Sequence, residues 1–93
     1  MIAGDRRRDR RVPTELPIQF GISEGRTRDL SATGVFFQTS EELSPEAALS
    51  FDLLLHEGAG AIALRASCAG RVVRVTPMGQ AWGVAVTLDS FEI

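Results

Sequence analysis

Lysine is absent from this 93-residue chain, and all ten basic residues are arginines. A phosphate-cradling P-loop requires its lysine and Schiff-base catalysis requires a lysine amine, so both chemistries are excluded. Cysteine and histidine occur once each, as Cys68 and His56. One cysteine forms no internal disulfide, and the pair cannot assemble a zinc site. So small an inventory of acids, bases and nucleophiles predicts a protein that is not an enzyme, with no catalytic residues and no metal site. No apolar run approaches the roughly 18 residues that cross a bilayer. The basic start MIAGDRRRDRR has no apolar segment behind it, so neither a secretory signal nor membrane insertion is expected, and the cytoplasm is the expected location. Internal repeats and low-complexity segments are missing as well.

What is present fits one small domain with one core, at 44% hydrophobic residues. The net charge of -2 argues against general binding of DNA or RNA, but it is unevenly spread. Residues 1–11 carry a net +3 and residues 12–93 a net -5. The division expected is therefore a flexible arginine-rich arm over 1–11, rich in like charge, and a single domain over 12–93.

The body reads as strands. Pro13 and Pro17 forbid a continuous helix between them. Leu16, Ile18, Phe20 and Ile22 then alternate with Pro17, Gln19 and Gly21, the period of a strand with one buried face. A turn is expected at Ser23–Gly25, a strand over Thr27–Leu30, a bend at Ser31–Gly34 and a strand over Val35–Thr39. SEELSPEA allows at most one short helical turn, with Ser44 as cap and Pro45 in the first turn. Leu49–Leu55 is the next strand, His56–Gly60 a hairpin loop, and Ala61–Val75 a long extended run with a bulge or sharp bend at Gly70. A turn at Thr76–Gly79 and a strand over Ala81–Leu88 complete about six strands. Short strands joined by glycine-rich turns indicate a small all-β barrel or sandwich. Trp82 shares its parity with Val84 and Val86 and is expected to pack in the core or at a barrel end. Cys68 is expected to be a small buried apolar group, and Phe36 and Phe37 to point to opposite faces.

Two stretches carry recognition chemistry. In the arm, Arg6, Arg7, Arg8, Asp9, Arg10 and Arg11 crowd together; a guanidinium is a planar donor fork that fits two phosphate oxygens or the O6 and N7 acceptors of guanine. Such a run by itself is equally the composition of a solvated tail. The second stretch, Arg28-Asp29-Leu30-Ser31-Ala32-Thr33-Gly34, is by itself a turn composition. Its functional alternative places Asp29 and Ser31 on one face of an extended segment, where a carboxylate accepts from the N1 and N2 donors of guanine. Gly34 would let the backbone turn closely beneath such a ligand.

Together, Arg7 and Arg11 with three residues between them, then Asp29, Ser31 and Gly34, resemble the paired RxxxR and (D/N)xSxxG signatures of the PilZ domain family. Arg11-Val12-Pro13, Val35-Phe36-Phe37, Gly70-Arg71-Val72-Val73-Arg74 and Trp82-Gly83-Val84-Ala85-Val86 extend the likeness over nearly the whole chain. The resemblance implies a six-stranded antiparallel PilZ-type β-barrel that binds the bacterial second messenger cyclic di-GMP without a further cofactor. It implies ligand-binding roles for Arg6, Arg7, Arg11, Asp29, Ser31 and Gly34, with the arm closing as a lid and an effector protein as the regulated partner. The alternative is a PilZ-like protein interaction module that binds no nucleotide. Two departures stand out. Many members have a helix after the last strand, which the five residues beyond Leu88 are too few to form, and Asp9 lies inside the arginine motif.

Overall fold

The computed structural model describes residues 11–56 and 63–93. Seven strands follow one another in the chain: β1 (Val12–Pro13), β2 (Pro17–Phe20), β3 (Ser23–Leu30), β4 (Gly34–Thr39), β5 (Ala48–His56), β6 (Ala63–Met78) and β7 (Ala81–Glu92). All pairings are antiparallel. Neighbours run β3, β2, β5, β6, β7, β4, and β4 returns to β3, so six strands close a barrel. The two-residue β1 is an addition, paired to the end of β3 that β2 leaves uncovered. No helix is present among the described residues, and none is long and apolar enough to cross a membrane.

Alternation along the strands fills the barrel. Ile18, Val35, Phe37, Leu53, Val72 and Val84 are all fully buried. Phe37 stands between Phe20 and Phe51, with ring centroids 5.7 and 6.3 Å away in tilted arrangements that suit aromatic quadrupoles. Cys68 is buried, as expected, and Trp82 packs partly buried against this core. Burial, and after it the charge of Asp52, pushes the Cys68 thiol up to about 11. It is therefore a neutral apolar filler at ordinary pH.

The first hairpin departs from the sequence reading. Ile22, expected in the buried row, is fully exposed, and Ser23–Gly25 is strand where a turn was expected. The reversal is the two-residue loop Gly21–Ile22 between the paired Phe20 and Ser23. Gly21 has φ 62°, the left-handed value that a two-residue hairpin loop of this kind needs at its first position. Gly79–Gln80 repeats the device between β6 and β7, with Gly79 at φ 62°. Consequently β6 runs on to Met78, past the turn expected from Thr76, and β7 continues beyond Leu88 to Glu92. The expected irregularity at Gly70 is present as a register shift between Ala69 and Gly70. SEELSPEA holds a turn at Pro45–Glu46 and no helix, with Glu46 at φ 75°. The hairpin expected over His56–Gly60 falls largely outside the described residues.

Between β1 and β2 the chain is held by a side chain. Thr27 is fully buried. Its hydroxyl accepts from the Leu16 amide at 2.8 Å and donates to the Thr14 carbonyl, while its own amide donates to the Leu16 carbonyl at 2.9 Å. Neither proline can donate to a ladder. One threonine thus stitches the Pro13–Pro17 segment to β3 where a regular ladder is interrupted.

Candidate functional site

The site begins with a defect in β3. Thr27 pairs with Phe37 and Asp29 pairs with Phe36, so Arg28 is the extra residue of a β-bulge. Strict alternation from the buried Thr27 would turn Asp29 inward. The bulge returns it to the outer face beside Phe36, with its side chain 29% exposed. It also leaves Arg28 outside, where its Nη1 donates to Gln38 Oε1 at 2.9 Å.

On that outer face the arm root meets the second motif. Arg11 Nε donates to Asp29 Oδ1 at 2.8 Å, and Arg11 Nη1 donates to Ser31 Oγ at 3.4 Å. Three residues that lie 18 and 20 positions apart from Arg11 to its partners form one connected cluster. Ser31 is buried, and its hydroxyl also accepts from the Gly34 amide at 3.1 Å and the Thr33 amide at 3.3 Å. Its own amide donates to the Gly34 carbonyl at 2.9 Å. Ser31 therefore shapes the β3–β4 turn as well as facing Arg11.

Gly34 has a role the sequence reading did not supply. A Cβ built on it would lie 2.8 Å from the Val86 carbonyl oxygen of β7, so the absence of a side chain permits close approach of β4 to β7. That seam floors the groove next to the cluster.

The groove has a volume of about 540 Å³ and is lined by Arg11, Asp29, Phe36, Val73, Arg74 and Thr87 among others. Phe37 is buried and Phe36 is the outward ring of the pair. The Arg74 guanidinium carbon lies 6.0 Å from the Phe36 ring centroid, at cation–π distance. Guanidinium groups, a carboxylate and an aromatic ring lining one open groove suit a flat ligand that is both anionic and rich in donors. Arg74 and Phe36 were not singled out as site residues from sequence, although both lie in segments that carried the family likeness. Their outward parity, one strand pair apart across β7, is what brings them together. A larger hollow of about 840 Å³ lies on the other side of the arm root, lined by Thr14, Glu15, Glu24, Arg26 and Arg28 among others. Its charges are mixed and it lacks the motif residues.

Arg6 and Arg7 lie outside the described residues, as do Arg8, Asp9 and Arg10. Among the described residues no cluster of three or more His, Cys, Asp and Glu is placed to hold a metal ion.

Comparison with known proteins agrees with this architecture. A family model described as the PilZ domain matches residues 5–92. Among solved structures, the Bacillus subtilis inhibitor of motility MotI/DgrA superposes with a TM-score of 0.73 at 18% identity. The match covers 91% of this chain and 43% of that one, so the chain spans less than half the length of that relative. At such identity the likeness is one of fold. No curated protein matches the chain.

Proposed function

The chain belongs to the PilZ domain family, and from that premise we propose that it is a receptor for cyclic di-GMP that acts on a partner protein and catalyses no reaction. The observation that carries this reading is the convergence of Arg11, Asp29 and Ser31 into one hydrogen-bonded cluster at the mouth of an open groove. Motif residues far apart in sequence meet at the one place where a β-bulge keeps the carboxylate outside.

The chemistry of the ligand fits the inventory. Cyclic di-GMP presents two phosphates and two guanines, so it calls for cations that read phosphate and purine and an acceptor for the guanine amino edge. The binding determinant in this reading is Arg6, Arg7, Arg11, Asp29, Ser31 and Gly34. Asp29 receives the N1 and N2 donors of guanine, and Arg74 with Phe36 offers a flat cationic and aromatic wall. Arg6 and Arg7 bring further guanidinium groups from the arm, which closes over the groove when ligand arrives. Closure changes the surface next to β1 that a partner protein meets. The similar solved structure is that of an inhibitor of motility, which fits a regulatory role. In this reading the protein acts in the cytoplasm, where the messenger is made.

Isothermal titration with cyclic di-GMP tests the proposal. Binding that is lost on Asp29→Ala supports it, and absence of binding to the wild-type chain favours the nucleotide-free interaction module.

A further inference from the structure

We infer that the last part of β7, residues 89–92, is a docking edge for a partner protein, which adds to it an extended segment of alternating apolar and basic residues. As a surface of the folded chain this edge stands independently of the cyclic di-GMP reading, and its test contains no nucleotide.

β7 outruns its neighbour on one side. Its pairing with β4 ends at Gly34 with Thr87, and there the Leu88 amide donates to the Thr33 carbonyl at 2.8 Å. Its pairing with β6 continues to Ser67 with Glu92. From Asp89 to Glu92 the strand therefore has a neighbour on one edge and, among the described residues, none on the other. The backbone donors and acceptors of such an edge are a template for one more strand.

The side chains say what that strand should carry. Asp89 is the extra residue of the register shift opposite Ala69 and Gly70, and after it the two faces alternate. Phe91 stands opposite the buried Cys68, on the core side, yet is 45% exposed. Ile93 follows two residues on at 75%, and Leu64 of β6, on the same face as the buried Ala66, is 40% exposed. Glu92 stands opposite the exposed Ser67, on the outer face. A strand laid along this edge sets every second side chain beside Phe91 and the others beside Glu92. The first set gains by being apolar and the second by being basic.

Charge also decides between a partner and a second copy. Asp89 and Glu92 are the only charges in residues 88–93; both are exposed, and neither has an ion-pair partner among the described residues. Asp52 lies in the same outer row, opposite Ser67, and Arg65 is already paired with it at 2.7 Å. Two copies pairing antiparallel through this edge would set like carboxylates against each other. The acids that attract a basic strand thus oppose self-association. The edge begins at the turn that carries Ser31 and Gly34, and Thr33 and Thr87 line the groove itself, so a partner docked here abuts the candidate site.

The probe is a blocked octapeptide of alternating arginine and valine, titrated at low salt into the isotope-labelled chain and followed by amide shifts and exchange. Its comparisons are an alternating glutamate and valine peptide and a fully N-methylated form of the basic peptide, which keeps charge and bulk but cannot donate to a ladder. The basic peptide is expected to shift the amides of residues 88–93 and to slow exchange at those of residues 89–92 that do not bond β6; the two comparison peptides are expected to do neither. Asp89→Arg combined with Glu92→Arg is expected to bind the basic peptide about tenfold more weakly, as two exposed attractions become repulsions, and to take up the acidic peptide instead. Shifts confined to other parts of the acidic body, equal binding of the N-methylated form, or indifference to the charge reversal overturns the inference. So does slow exchange at every amide of residues 89–92 in the isolated chain: if independent of concentration, the chain's own residues cover the edge, and if it grows with concentration, a second copy does.

Discussion

Replacing Thr27 by valine should loosen the protein far more than an isosteric change on a small barrel would suggest. The side chain is fully buried, and its hydroxyl makes two bonds, one from the Leu16 amide and one to the Thr14 carbonyl. Valine keeps the shape and the β-branch but answers neither group. At about 1 kcal/mol net for each bond, the loss comes to about 2 kcal/mol. For a chain of this length that lowers the thermal midpoint by about 8 to 16 °C. Urea unfolding of wild type, Thr27→Val and Thr27→Ser provides the comparison, and an unchanged m-value shows that stability alone has moved. Serine keeps the hydroxyl and removes one buried methyl, at a cost of about 1 kcal/mol, so it should be the milder change. Should valine prove as stable as wild type, or serine the more damaging of the two, the hydroxyl is not what holds the Pro13–Pro17 segment to β3.

Other outcomes follow from equally specific contacts. Gly34→Ala places a Cβ 2.8 Å from the Val86 carbonyl oxygen and should cost about 1 to 3 kcal/mol as β4 and β7 are forced apart, read from urea unfolding. Ile22→Asn changes a fully exposed hairpin residue and should leave stability within about 0.5 kcal/mol; a large loss would return Ile22 to the core. Cys68 keeps its proton in the folded state up to about pH 11, whereas an unfolded thiol loses it near its ordinary value. Stability should therefore fall as pH rises from 9 towards 11, and Cys68→Ala should flatten that part of the profile. Retention of the full slope in the variant would assign it to other groups.

Much of the barrel was legible because its signals are local. Ile18 and Phe20 alternate, Val84 and Val86 share parity with Trp82, and Gly70 marks the irregularity in β6. What misled was a single apolar residue at a turn. Ile22 continues the period of Ile18 and Phe20, and only the left-handed Gly21 reveals that the strand has already ended. Nothing in a period-two pattern distinguishes the last residue of a strand from an apolar residue in the loop after it. Asp29, Ser31 and Gly34 were singled out through the family resemblance, but the contacts that each makes in the folded chain were not legible. The bulge at Arg28 that turns Asp29 outward is a property of pairing with β4, and the close approach that requires Gly34 is a property of pairing with β7. Arg74 and Phe36 meet across β7, a juxtaposition that depends on strand order and register rather than on any local motif.

In the proposed site Asp29 presents its carboxylate to the amino edge of a guanine of the cyclic dinucleotide. Calorimetric titration of the wild-type chain and of Asp29→Ala with cyclic di-GMP and cyclic di-AMP tests it most directly. Adenine carries an acceptor at N1 and no amino group at C2, so a carboxylate facing it is left without donors. Wild type is expected to bind cyclic di-GMP and to bind cyclic di-AMP much more weakly, and Asp29→Ala is expected to lose the preference. Equal affinity of wild type for the two dinucleotides, or undiminished binding of cyclic di-GMP by Asp29→Ala, would contradict it.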